Sequence, residues 1–311
     1  MVVDPVVTLA GLLVGFVVGL TGMGGGALMT PVLVLLFGVQ PLTAVSSDLV
    51  ASMVMKPVGG GVHLKRGTVD LRLVRWLVVG SVPSAFAGVL LLKRLGDPAG
   101  IQDRVRLALG AALLVVACGL LIRGYMSRKR QMLEVDAPLA INRLATVAIG
   151  IIGGLVVGMT SVGSGSLMMI LLLLLYPHIR LTQLVGTDLV QAVPLVASAA
   201  AAHLLFGAFQ LDLTVSILTG ALPGVYLGAK LSSQAPDHVI RPVLILVLSA
   251  SGLKLLGTPD GAVLAAVAAG ALLFGAAALR RQRVAADKTD SAVAARSVDS
   301  VVVIPGGADS T

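Results

Sequence analysis

The stretch Gly19-Leu-Thr-Gly-Met-Gly-Gly-Gly-Ala-Leu-Met29 decides how this chain is read, because Gly158-Met-Thr-Ser-Val-Gly-Ser-Gly-Ser-Leu-Met168 repeats it. Each lies inside a long apolar run, 6–37 and 144–177. Unpaired backbone groups are costly in hydrocarbon, so non-helical backbone at membrane depth persists only when buried in protein or lining a wet cavity. Paired interruptions in the two halves of a membrane protein are the sequence pointer to a transporter's substrate site.

Composition supports the membrane setting. Of 311 residues, 57% are hydrophobic and 12% charged, and the mean hydropathy is +0.99. Soluble domains carry about a quarter charged residues. Further stretches long enough to cross a bilayer lie at 44–64, 73–92, 104–122, 184–206, 212–230, 239–256 and 261–279. The net charge of +8 is no sign of nucleic-acid binding, because Lys and Arg of membrane proteins gather in cytoplasmic loops. With 3% aromatic residues there is also little surface on which to stack bases. Cys118 is the one cysteine, so neither a disulfide frame nor a thiolate metal site is expected. Its apolar surroundings suggest a small core residue. The start of the chain lacks the basic segment of a cleavable signal and reads as mature structure.

The duplication extends past the breaks. Residues 19–37 match the chain 139 positions on at 9 of 19 places, and residues 48–92 match it 140 positions on at 12 of 45. Asp48/Asp188, His63/His203, Gly67/Gly207, Gly80/Gly220, Pro83/Pro223 and Gly88/Gly228 fall in the second set. Low complexity matches Leu and Gly by chance, but not Asp, His and Pro in order.

Basic residues decide how the broken segments cross, since Lys and Arg bias loops to the cytoplasm. A single crossing by each broken segment leaves these residues evenly split. If each segment is a hairpin returning to its own side, 17 of the 23 fall inside and 5 outside, with Lys56 within a span. A hairpin plus three spans is an odd number of crossings, so the halves are inverted. The expected fold is an all-α polytopic membrane protein of two inverted repeats. Each repeat is a broken, re-entrant hairpin plus three transmembrane helices, and one extra C-terminal span follows. The expected organisation is a first repeat over 1–124, a basic cytoplasmic linker over 125–143, a second repeat over 144–257, the extra helix over 258–283 and a disordered cytoplasmic tail over 284–311.

The breaks supply the candidate substrate ligands. Thr21, Gly22, Gly24, Gly25 and Gly26 correspond to Thr160, Ser161, Gly163, Ser164 and Gly165, and Ser166 follows. Each break precedes an apolar helix, whose N-terminus offers orphan N–H donors and partial positive charge to an anion. Ser47 and Thr187 precede the aspartates Asp48 and Asp188, which are candidates for coupling or gating because an ionisable group within a span is functional by default. Capping of a first helical turn is the competing explanation for both. His63 and His203 lie 15 residues further on, and in an inverted pair Asp48 shares a side with His203 and Asp188 with His63. Lys56 has no counterpart; it either attracts an anion or extends its head toward water. Pro83 and Pro223 mark matched points of helix bending. No metal cluster or cofactor fingerprint is found, and none is expected.

The glycine-rich break, the Ser-Ser-Asp-Leu opening of the next span and the His-x3-Gly loop, all repeated, resemble the TauE/SafE sulfite exporter family over residues 6–257. The resemblance implies a multi-pass inner-membrane transporter, an exporter of small sulfur-containing anions such as sulfite, with the C-terminus cytoplasmic by the charge count. It marks Thr21, Gly24, Gly26, Ser47 and Asp48, with Thr160, Gly163, Gly165, Thr187 and Asp188. The expected partners are a small anionic substrate, the lipid bilayer and protons as coupling ion, with no nucleic acid. Two alternatives stay open: a passive anion channel, and an intramembrane hydrolase with Ser164 as nucleophile and His203 as base.

Overall fold

The structure is a computed structural model that describes residues 4–21, 25–94, 98–130, 140–231 and 237–276. Among the described residues, ten helices make up the main compact unit. They are α1 (Pro5–Thr21), α2 (Gly26–Leu35), α3 (Pro41–Lys65), α4 (Leu71–Arg94), α5 (Pro98–Arg130), α6 (Arg143–Thr160), α7 (Leu167–Leu175), α8 (Leu181–Phe206), α9 (Leu211–Leu231) and α10 (Asp237–Leu255). A further helix, α11 (Asp260–Ala276), is short and apolar and runs into a second unit beginning at Leu264. The described residues contain no strand, and the protein is an all-α polytopic membrane protein.

Among the described residues, five helices are long and apolar enough to cross a membrane by length and composition: Leu71–Arg94, Gly100–Ile122, Arg143–Thr160, Thr182–Phe206 and Leu211–Leu231. The 25-residue α3 does not qualify despite its length; Asp48, Lys56 and Lys65 lower its hydropathy. Helix α5 continues to Arg130, beyond the expected end of the first repeat at 124. The tail expected over 284–311 lies outside the described residues.

Helices equivalent by the sequence offset run in opposite directions. Ser46, early in α3, hydrogen-bonds His203, late in α8, while Gly60, late in α3, faces Leu189 and Val193, early in α8. Helices α5 and α10 behave alike, with Gly110 beside Gly252 and Gly124 beside Arg241. The two outer pairs are parallel and cross between halves. Gly220 and Gly228 of α9 sit on the carbonyls of Thr8 and Phe16 of α1, and Gly80 and Gly88 of α4 sit on those of Val147 and Leu155 of α6. Glycines four or eight apart share one helix face, and without side chains they let backbones touch. That is how helices associate in lipid, where apolar burial supplies no net drive.

The second broken segment folds back on itself. Tyr176, at the end of α7, hydrogen-bonds the Asn142 N–H (3.0 Å) and the Thr146 hydroxyl (2.6 Å) at the start of α6. Met168, at the start of α7, packs on Gly153. Gly153 is seven residues, roughly 10 Å of helix, short of the end of α6. The break therefore carries the chain back to mid-depth before helix resumes. Cys118 is exposed on α5, not in the core: an apolar run in a membrane helix includes the face that meets lipid.

Candidate functional site

The two breaks meet. A Cβ on Gly26 would overlap the Ser161 carbonyl, so the first residue of α2 lies directly against the end of α6. Ser161 has φ 60, a left-handed conformation that costs non-glycine residues roughly 1–2 kcal/mol. The turn it makes aims its hydroxyl across the halves, where it donates to Asp48 Oδ2 at 2.6 Å. Thr30 of α2 donates to the same oxygen at 3.1 Å. Gly163, at φ 111, and a Gly165 N–H to Gly163 carbonyl bond of 2.8 Å then turn the chain into α7.

Asp48 is fully buried. It is the eighth residue of α3, and Asp188 is the eighth of α8. Neither lies in a first turn, and neither helix has an acidic residue there, so the capping explanation fails for both. The other carboxylate oxygen, Asp48 Oδ1, has no protein partner, nor do Ser47 Oγ and Ser166 Oγ, although all three are buried. A Cβ placed on Gly25 would stand 3.7 Å from Asp48 Oδ1 and 3.7 Å from Ser52 Oγ. Buried polar groups are normally satisfied, and exceptions ask for an explanation.

The remaining candidates have protein partners. Thr21 and Thr160 turn their hydroxyls back onto the carbonyls of Val17 (2.9 Å) and Val156 (2.6 Å); they close helix ends and have no proton left to donate. Thr187 accepts the Asp70 N–H at 3.0 Å, and Asp188 Oδ1 accepts from Gln191 at 3.1 Å. His203 is buried between Ser46 (2.8 Å) and the Gly158 carbonyl (2.8 Å), and His63 pairs with Thr68 at 2.9 Å. His203 thus reaches the Asp48 end of α3 but bonds Ser46, and no Asp48–His203 pair forms. Gly22 and Gly24 lie outside the described residues.

Two contributors were not singled out from the sequence. Thr30 and Gln191 carry no motif and have no polar counterpart, standing opposite Met169 and Ala51. Lys56 is buried and donates to the carbonyl and, at 2.7 Å, to the hydroxyl of Ser164. Its ammonium interacts electrostatically with Asp188 and, less strongly, with Asp48. Among the described residues no group of histidine, cysteine or carboxylate side chains is arranged to hold a metal ion.

An interior polar crossing, built from broken helices inside an apolar bundle, belongs to the class of polytopic membrane transporters. The family described as Sulfite exporter TauE/SafE matches residues 7–255, and this chain belongs to that family. It is 37% identical to "Probable membrane transporter protein YjnA" of Bacillus subtilis (strain 168) over 254 residues, covering 80% of this chain and 98% of the relative. It is 25% identical to "Probable membrane transporter protein YdhB" of the same organism over 246 residues, 78% of this chain and 96% of that one. "Probable membrane transporter protein YtnM" matches at 31% over 144 residues, 46% of this chain and 45% of the relative. No solved structure matches the chain.

Proposed function

We propose that the protein is a secondary transporter of a small anion, sulfite or a related sulfur oxyanion or organosulfonate, working as an exporter in the cell's inner membrane. One observation carries the reading: Ser47 Oγ, Asp48 Oδ1 and Ser166 Oγ are buried without protein partners beside the two breaks. Two hydroxyls can each donate one bond to an oxyanion. A carboxylate oxygen facing an anion must first take up a proton, and then it too becomes a donor. The geometry therefore favours binding of the anion to the protonated site, with Asp48 as the coupling group. The antiparallel equivalent helices favour inverted halves that rock about the crossing of the breaks, exposing it to each side in turn, with the C-terminus cytoplasmic.

The hydrolase reading has little support. His203, its expected base, is held by Ser46 and the Gly158 carbonyl, and Ser164 meets Lys56 as a hydrogen-bond acceptor. A passive channel differs in energetics. The test is flux of labelled sulfite and thiosulfate in liposomes holding the full chain, with and without a pH gradient. Accumulation against the anion gradient, driven by protons, is the expected result. Flux that only ever runs downhill would establish the channel, and no flux of any sulfur anion would remove the substrate class.

A further inference from the structure

We propose that Lys56 is the cation that binds the transported anion, and that its bond to Ser164 is a resting contact which the anion displaces. The inference rests on the transport reading above and names the residue that gives its site the right charge.

Lysine is almost never fully buried without a partner, and here its residue is 5% exposed. It is the sixteenth residue of the 25-residue α3. By helix rise it stands about 22 Å from one end and about 14 Å from the other. A lysine stem of about 6 Å cannot bring its head to either interface from there. Snorkelling is excluded, and the ammonium must find its partners inside.

Those partners are asymmetric. The position equivalent to Lys56 is Val196, and the position equivalent to Ser164 is Gly25. Val196 is fully buried and Gly25 is buried, so the second α8 and the first break pack without either polar group. The lysine and the serine each break the repeat, and they break it by meeting each other. Packing does not require the pair. Ser164 takes two of the three ammonium protons, which leaves one without an acceptor among the described residues.

Charge completes the argument. Asp48, Asp188 and Lys56 are all buried. With both carboxylates ionised the trio carries one net negative charge and repels an anion. With both protonated it carries one net positive charge, matched to a single monovalent oxyanion such as hydrogensulfite. Exchange of Ser164 for the anion costs the ammonium few hydrogen bonds and replaces a neutral acceptor with a charged one, a bond roughly twice as strong.

The test is equilibrium binding of 35S-labelled sulfite to the full chain in lipid nanodiscs, comparing wild type with Lys56→Met, Lys56→Arg and Ser164→Ala. Lys56→Met is expected to weaken binding by at least about tenfold, and Lys56→Arg by no more than about threefold. Ser164→Ala removes the hydroxyl that competes for the ammonium, and is expected to tighten binding by roughly twofold to fivefold. Unchanged affinity in Lys56→Met, with a melting curve like wild type, would overturn the proposal and leave the transport reading standing. If Lys56→Met does not fold, Ser164→Ala decides: tighter binding supports the displacement, and unchanged or weaker binding rejects it. A folded wild type that binds neither sulfite nor thiosulfate would take down the transport reading itself, and this inference with it.

Discussion

Ser46-Ser47-Asp48 in α3 and Gly186-Thr187-Asp188 in α8 began as copies, and the fold pairs the hydroxyl of the second while leaving that of the first bare. Thr187 is taken by the Asp70 N–H, and Asp188 by Gln191. Ser47 Oγ and Asp48 Oδ1 are buried with nothing bonded to them. The residues that make the difference are the unmatched ones. Gln191 stands where the first half has Ala51, and Thr30 and Ser161 stand opposite Met169 and Gly22. Duplication supplies two equal frames, and a handful of polar substitutions then makes their hydrogen bonding differ.

The largest expected effect comes from separating the frames. Gly26→Val pushes side-chain atoms into the Ser161 carbonyl, where only backbone can yield. Flux should vanish and the melting temperature should drop by several degrees, since overpacking costs about 1–3 kcal/mol. Wild-type melting and flux in this variant would mean that the breaks do not touch.

Next in size is the contrast between the aspartates. Asp48→Asn should abolish proton-driven flux, at least about a hundredfold, because an amide cannot carry the proton. Asp188→Asn should cost roughly tenfold or less, because Asp48 is the aspartate that Ser161 ties to the crossing of the breaks. Equal losses in the two variants would erase the distinction between the two aspartates.

A crossed pair sharpens it. Ser47→Ala removes no protein hydrogen bond, so stability should hold while sulfite affinity falls. Thr187→Val strips the Asp70 N–H of its acceptor and should cost about 1 kcal/mol, read by chemical denaturation, with sulfite affinity unchanged. The smallest effect belongs to Ser161→Gly. Relief of a left-handed serine, worth about 1–2 kcal/mol, offsets loss of the Asp48 bond, so melting should hardly move while flux declines. Ser161→Ala keeps the strain without the bond and should melt earlier than Ser161→Gly.

The helices, the duplication and the motif positions were legible because each is a local or periodic property of the chain. The site's connections were not legible. Ser161 meets Asp48 across 113 positions and Lys56 meets Ser164 across 108, and no spacing rule links residues that far apart in different halves. Thr21 and Thr160 looked like anion ligands by residue type, yet a threonine ending a helix readily bonds its own preceding turn. His203 was expected beside Asp48 and bonds Ser46, two residues away: helix rise predicts the level along the axis but not the rotation about it. Cys118 shows the same limit, because hydropathy in a membrane helix does not separate the protein-facing side from the lipid-facing one.

In the transport reading proposed above, the anion sits beside Gly25 and Asp48. Gly25 has ordinary helical φ of −67, and a Cβ there meets nothing closer than 3.5 Å, so the position accepts a methyl group without strain. The direct measurement is equilibrium binding of labelled sulfite to the purified chain with glycine, alanine or valine at position 25. A modest loss is expected for Gly25→Ala and no detectable binding for Gly25→Val, with all three proteins melting within a few degrees of one another. Undiminished binding by folded Gly25→Val would contradict it and place the anion elsewhere.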